Sequence, residues 1–401
     1  MNLLRQHSAL PVVFILVLLS PLAIDVYLPA IPEMTQALNT TDGSMQFSIS
    51  LFMMFMGAGQ LVAGPLSDRY GRCLSAATGV VIYLAGAILA FYATSIEMLY
   101  VSRALQGLGA ASCSVTAFAW ARENFPVSEA RQWIGYLSGV IAIIPTLAPM
   151  LGGLLTAQWG WEANFVFMGG ISALLLVGVF LTMQSRRPAG NEQKSQPSML
   201  TSFVEILSNR QFLIYSLSGA LTMAAILSYV TYAPSIAMTE GGLDEYDFAL
   251  LFGLIGLLQL AGGMIAPRIV AKFNADMAIF IGVGLSIFSA ILLVLLDGSN
   301  PLFFFAAVPF GCMGFCMIFG SAAGKAMEPF SHCAGSAAAL DGFFRMAGGG
   351  VIATLIKLPE MNVFHTTALS FSLLLIPAAI IALWKTKRVL PFYAPRIRAK
   401  A

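Results

Sequence analysis

Charge is scarce in this chain. Asp, Glu, Lys and Arg make up 10% of its 401 residues, against roughly 25% in an average soluble domain. Histidine is scarcer still: His7, His332 and His365 stand far apart, so a membrane-embedded enzyme built on clustered His, Asp and Glu is not expected. The five cysteines (Cys73, Cys113, Cys312, Cys316 and Cys333) fall in or beside hydrophobic stretches, which argues against a disulfide framework. Cys312 and Cys316 share a helix face without His or acidic partners, so they read as packing residues and no metal site is expected. The net charge of +2 reflects an excess in the loops and implies no nucleic-acid partner. No cleavable signal peptide is evident: the first apolar stretch outruns an h-region and holds Asp25 and two prolines near its end, so it is expected to remain as a helix.

What is abundant is apolar sequence. Hydrophobic residues make up 58% of the chain, and mean hydropathy is +0.82. A helix needs about 20 apolar residues to cross the hydrocarbon core. Twelve such stretches are legible, near 8–32, 45–66, 74–94, 97–121, 132–156, 163–184, 211–234, 246–267, 277–297, 301–324, 334–358 and 363–384. Strands of a membrane barrel would be shorter and alternate apolar with polar. The expected fold class is an all-α membrane protein with twelve transmembrane helices, here called spans 1 to 12.

Eighteen of the 21 Lys and Arg residues fall in alternate connections: Arg5; Arg69 and Arg72; Arg122 and Arg131; the four from Arg186 to Arg210; Arg268 and Lys272; Lys325; and six from Lys385 to Lys400. The opposite connections, near 33–44, 95–96, 157–162, 235–246, 298–301 and 359–362, contain none. By the positive-inside rule the charged side is cytoplasmic, so both termini are expected there.

The only long polar interruption runs from Ser185 to Arg210. Its start reads as a flexible linker, and its end, Met199 to Ser208, has the periodicity of a surface helix. The expected organisation is a six-helix bundle over 1–184, a cytoplasmic linker with a surface helix over 185–210, a second six-helix bundle over 211–388, and a basic cytoplasmic tail over 389–401. Six spans per half give both halves the same orientation, making them parallel repeats. A faint echo supports this: Gly64-Pro-Leu-Ser-Asp68-Arg69 after span 2 matches Gly263-Met-Ile-Ala-Pro-Arg268 after span 8. Such duplication suits a rocking mechanism with a central cavity.

Four segments carry chemistry. The loop after span 2 reads Gly64-Pro-Leu-Ser-Asp68-Arg69-Tyr-Gly71-Arg72. Gly71 serves a tight reversal, and Asp68 either pairs with the arginines or faces a helix N-terminus of the other half. Span 4 holds Arg103 in Arg103-Ala-Leu-Gln106-Gly107-Leu-Gly109. An Arg at a helix centre costs about 2.5–3.5 kcal/mol to insert, so Arg103 should face a wet cavity or a partner. Span 1 holds Asp25-Val-Tyr27-Leu-Pro29-Ala-Ile-Pro32. The prolines free backbone carbonyls and bend the helix beside a cavity, and a carboxyl withdrawn from water favours its neutral form, which suits a proton carrier. The other reading is a hydrated acid near the outer face. Span 5 carries Pro145, Ala148, Pro149, Gly152 and Gly153, a kinked helix with a flat face whose expected partner is span 8, with Gly253, Gly256, Gly262 and Gly263.

Together these segments resemble the major facilitator superfamily across essentially the whole chain. The first resembles G-x-L-a-D-r-x-G-r-k, with Cys73 at the last basic position; the second resembles l-x-x-x-R-x-x-q-G-x-g-a-a. Span 1 is similar to D-x-Y-L-P-a-x-P of the Bcr/CflA drug-efflux subfamily, and span 5 to the antiporter motif g-x-x-x-G-P-x-x-G-G, with Ala148 in place of a glycine. The resemblance implies a proton-coupled antiporter in a bacterial inner membrane, without a cofactor, exporting chloramphenicol-like drugs and lipophilic cations by alternating access. It implies proton coupling through Asp25 and Arg103, with structural tethering as the other reading of Arg103. It also implies a gate at Gly64, Asp68, Arg69, Gly71 and Arg72, whose other reading is a positive-inside turn with no gating role, and plain packing is the alternative for span 5. The partners expected are drugs, protons and lipid, and the expected state is a monomer. The alternative is a superfamily exporter or proton-coupled transporter of a metabolite, such as a sugar or amino-acid derivative.

The second half is less legible. Asp341 and Arg345 sit four apart in span 11 and can pair along one face, either as a second titrating group or as a structural ion pair. Lys325 and Lys357 lie near helix ends and are expected to snorkel to water. Candidate substrate contacts are Asp25, Leu22, Gln106, Phe118, Ile141, Tyr229, Tyr232 and Phe315, with Met53, Met54, Met56 and Phe319 as further adaptable wall.

Overall fold

Polar caps divide the apolar chain into separate helices. Thr41, Ser95, Asn209, Asp244, Asn274 and Asn362 each accept a hydrogen bond from a backbone amide three residues on, at 2.7–3.4 Å, satisfying donors that have no partner within a helix. The computed structural model describes residues 2–183, 199–297, 300–330, 333–358 and 361–389. Most of the linker and the tail beyond Val389 lie outside the described residues.

Span 1 is Asn2–Asp25, a 3₁₀ turn Leu28–Ala30 and Ile31–Ala37. Spans 2 to 6 are Asp42–Tyr70, Arg72–Phe91, Ile96–Asn124, Val127–Trp159 and Glu162–Thr182. A short helix, Met199–Ser208, precedes span 7, Arg210–Pro234, which continues as a π turn Ser235–Glu240. Spans 8 to 10 are Glu245–Lys272, Ala275–Leu295 and Phe304–Met327. Span 11 comprises Ala334–Phe343, a π turn Phe344–Gly348 and Gly349–Ile356, and span 12 comprises Val363–Ser372 and Leu375–Val389. Ten of these are long and apolar enough to cross a membrane; the other two, spans 4 and 5, are 29 and 33 residues long.

The packing repeats. Span 3 lies on span 4, 2 on 4, 1 on 4, 3 on 6, 1 on 5 and 1 on 6; each pairing recurs in the second half with every number raised by six. Two six-helix bundles of one topology therefore make up the protein. They meet along two seams, span 5 on span 8 and span 2 on span 11, which the same two-fold relation exchanges.

Candidate functional site

Span 1 stops being an α-helix immediately after Asp25. Pro29 and Pro32 explain this: each lacks the N–H that would bond the carbonyl four residues back, that of Asp25 and of Leu28, and its ring crowds that carbonyl, yet proline suits the first turn of the segment that follows. Both are found there, at the starts of the 3₁₀ turn and of Ile31–Ala37. The 3₁₀ turn touches spans 5, 7 and 8, so the break lies where the two halves meet. Asp25 is 5% exposed and has neither an ion-pair nor a hydrogen-bond partner among the described residues. The Tyr229 hydroxyl on span 7 is likewise buried, without a hydrogen-bond partner among the described residues.

Arg103 is fully buried. It donates to the Ala23 carbonyl at 2.6 Å and to Gln106 Oε1 at 2.6 Å, and its guanidinium lies 4.6 and 4.7 Å from the ring centres of Tyr27 and Phe52. The last carbonyls of a helix lack donors within it; Arg103 supplies one two residues before Asp25. The structure thus brings Arg103 to the backbone of span 1 and forms no ion pair with Asp25. Tyr27 completes the packing, its hydroxyl 3.1 Å from Ser48 Oγ and its ring 5.9 Å from Phe165.

Of the candidate wall residues, Leu22 packs with Val26 and Ala148, and Gln106 is sealed inside the first half against Arg103. Phe118 and Ile141 are half-buried against the core. Tyr229 stacks on Phe252 at 5.3 Å, Phe315 stacks on Phe319 at 5.1 Å, and Tyr232 lies under the Lys357 ammonium at 4.9 Å. Met53 and Met56 are buried, and Met56 accepts from Ser20.

Span 5 does pack on span 8, but the glycine contacts differ from the sequence expectation. Gly152 faces span 1: a methyl group built there would run into the Val26 carbonyl oxygen. Gly262 and Gly263 face Met313 and Cys316 of span 10. The flat face of span 5 is used to approach the broken segment of span 1, with Ala148 and Pro149 buried alongside and Pro145 half-buried.

At the loop after span 2, Gly71 has φ +90°, a conformation only glycine adopts without strain. Arg72 binds Asp68 at 2.5 Å, Ser67 Oγ at 2.7 Å and both oxygens of Glu123, one at 3.0 Å. Asp68 pairs within its own half, and Arg69 lies over Tyr70. No Cβ obstacle surrounds Gly64. Glu123 was not identified from the sequence, although an acid at the end of span 4 opposite a basic loop was the available signal.

In span 11, Arg345 Nε donates to Asp341 Oδ2 at 2.5 Å and Nη1 to the Phe319 carbonyl at 2.7 Å, while Ser216 donates to Asp341 Oδ1 at 2.8 Å. Gly219 leaves the space that the guanidinium fills, and Arg345 Nη2 is buried without a partner among the described residues. Lys357 does not snorkel: it donates to Gln46 Oε1 across the seam and to Thr231 Oγ1, acceptors that the packing of spans 2 and 7 beside span 11 brings within its reach. His365 is not isolated but lies 2.8 Å from Asn362 Oδ1 and 3.3 Å from Asp297. His7 and His332 lie outside the described side chains.

Residues 13–353 match the family model of the Major Facilitator Superfamily. The chain is 31% identical over 360 residues to the multidrug resistance protein MdtL of Klebsiella pneumoniae, covering 87% of this chain and 89% of that protein. It is 31% identical over 348 residues to a chloramphenicol resistance protein of Pseudomonas aeruginosa, covering 84% and 81%. The crystal structure of a D-xylose-proton symporter shares its fold with a TM-score of 0.76 at 16% identity, covering 94% and 96%. The chain is a multi-pass membrane transporter, not an enzyme, and belongs to the Major Facilitator Superfamily.

Proposed function

We propose that this protein is a proton-coupled antiporter that exports small lipophilic drugs, chloramphenicol-like molecules and lipophilic cations among them, from the cytoplasm of a bacterium across its inner membrane. The observation that carries the reading is Asp25: a buried, partnerless carboxyl at a helix break where the two halves meet. Such a group is expensive in a membrane, and for that reason marks a functional site. Here it accepts a proton from outside and releases it inside as cargo binds. The names of the MdtL and chloramphenicol resistance relatives support the cargo class.

Arg103 holds the Ala23 carbonyl two residues before Asp25 and takes part in the coupling by positioning the end of that helix. The Arg72 network braces the inner ends of spans 2, 3 and 4. Orientation follows the loop charges, with both termini cytoplasmic, and the carrier acts as a monomer without a cofactor. One proton moving down 100 mV releases about 2.3 kcal/mol. At about 1.4 kcal/mol per factor of ten, that sustains a neutral-drug gradient of roughly fiftyfold.

The test is drug efflux from proteoliposomes under an imposed proton gradient. Wild type should move chloramphenicol uphill and Asp25→Asn should not. Uphill transport by Asp25→Asn at the wild-type rate would overturn the coupling assignment.

A further inference from the structure

Span 2 presents Gln46, Ser50, Met53, Gly57 and Gln60 to span 11. Their alternating spacing of four and three is that of a helix seam. Midway the backbones close up: a methyl group on Gly57 would stand 2.5 Å from the Ala347 amide nitrogen, and one on Gly350 would stand 2.9 Å from the Ser50 carbonyl. With no side chain standing between the two backbones here, the middle of the seam is a compact contact that suits a pivot while the ends open and close. At the inner end Gly342 abuts Gln60. At the other end two side-chain bonds join the halves. Lys357 Nζ donates to Gln46 Oε1 at 2.9 Å, and Ser235 Oγ donates to Asp42 Oδ2 at 2.7 Å. Asp42 and Gln46 are four apart on one face of span 2, so the start of that span is clamped between the ends of spans 7 and 11.

We infer that Lys357 is the positioning residue of the outer gate, pinning the outer end of the span 2–span 11 seam shut in this conformation and letting go when the carrier opens outward. This rests on the alternating-access reading above. The chemistry suits a bond that must break in every cycle. The partners of the ammonium are an amide oxygen, the Thr231 hydroxyl at 3.0 Å and the Tyr232 ring. Among the described residues no carboxylate pairs with it. An ammonium–carboxylate pair out of water would be costly to separate. Lys357 instead stands one residue before the strongly exposed Leu358, so its long stem can carry the charge to water once Gln46 departs.

Hydrogen–deuterium exchange on the full chain in lipid nanodiscs, without drug or proton gradient, tests this for wild type, Lys357→Met and Gln46→Leu. Loss of a hydrogen bond from a charged group should raise exchange roughly tenfold in segments 36–46 and 229–243 in both variants, with segments 66–75 and 325–330 unchanged. Unchanged exchange at the outer segments, or an equal rise at both ends, would overturn the assignment. Should Lys357→Met not give folded protein, Gln46→Leu decides. Because no cargo enters the experiment, its outcome is separate from that of the transport reading.

Discussion

Gly152→Ala adds one methyl group and should do disproportionate harm. The added carbon points at the backbone carbonyl oxygen of Val26, one residue past Asp25, and backbone cannot swing aside as a side chain can. Spans 1 and 5 must therefore move apart. Overpacking of a tight site costs typically 1–3 kcal/mol, against which alanine regains about 1 kcal/mol of helix propensity over glycine. The displacement falls on the segment that positions Asp25. Gly170→Ala in span 6, where the new carbon meets nothing within 4 Å, is the control and should be neutral or slightly stabilising. The assay is thermal unfolding of both purified variants beside drug efflux in cells. The expected result is a lowered melting temperature and at least tenfold weaker efflux for Gly152→Ala only. If it melts and transports like wild type, the approach of span 5 to span 1 is not what sets the position of Asp25.

Arg103→Met should orphan the Ala23 carbonyl, costing about 1–3 kcal/mol, a loss read as reduced yield of folded protein and a lower melting temperature. Asp341→Asn leaves Arg345 short of its countercharge, and breaking a buried pair costs about 3–5 kcal/mol. The Asp341→Asn, Arg345→Met double variant should recover most of it, and a double-mutant cycle on thermal unfolding measures the coupling. Arg72→Gln should change stability by less than about 1 kcal/mol, because the Asp68 and Glu123 side chains are 68% and 45% exposed, so any loss of efflux it causes reports gating. Outside the spans, the Lys325 ammonium bond and the Gln211 amide hold Glu328 below the usual carboxylate range. Its small contribution is therefore present at neutral pH and lost as pH falls through that lowered value, a dependence Glu328→Gln should remove from acid-unfolding curves.

Much of the fold was legible because its signals are local. Twelve apolar stretches and loop charges each depend on residues close in sequence, and Gly71 announced its turn through the motif around it. The Asp341–Arg345 pair was legible for the same reason, since four residues apart on a helix is a neighbouring position. The sites that escaped depend on distant chain. Glu123 reaches Arg72 across 51 positions and Lys357 reaches Gln46 across 311, and no periodicity connects such pairs. The glycines of span 5 signalled a close approach, but sequence cannot say which neighbour approaches, and the partner of Gly152 proved to be span 1. Nor did the run Gly348-Gly349-Gly350 reveal that span 11 widens into a π turn ending at its first glycine, the adjustment that accompanies Arg345 facing its own half while Gly350 and Lys357 meet span 2.

The central claim is that cargo and proton compete for the carboxyl at the end of the first helix. It is tested most directly by following pH in a weakly buffered solution of purified protein as chloramphenicol is added. Wild type should release protons in proportion to drug bound, and Asp25→Asn should bind without release. Binding by wild type with no protons released, or equal release from the variant, would contradict it.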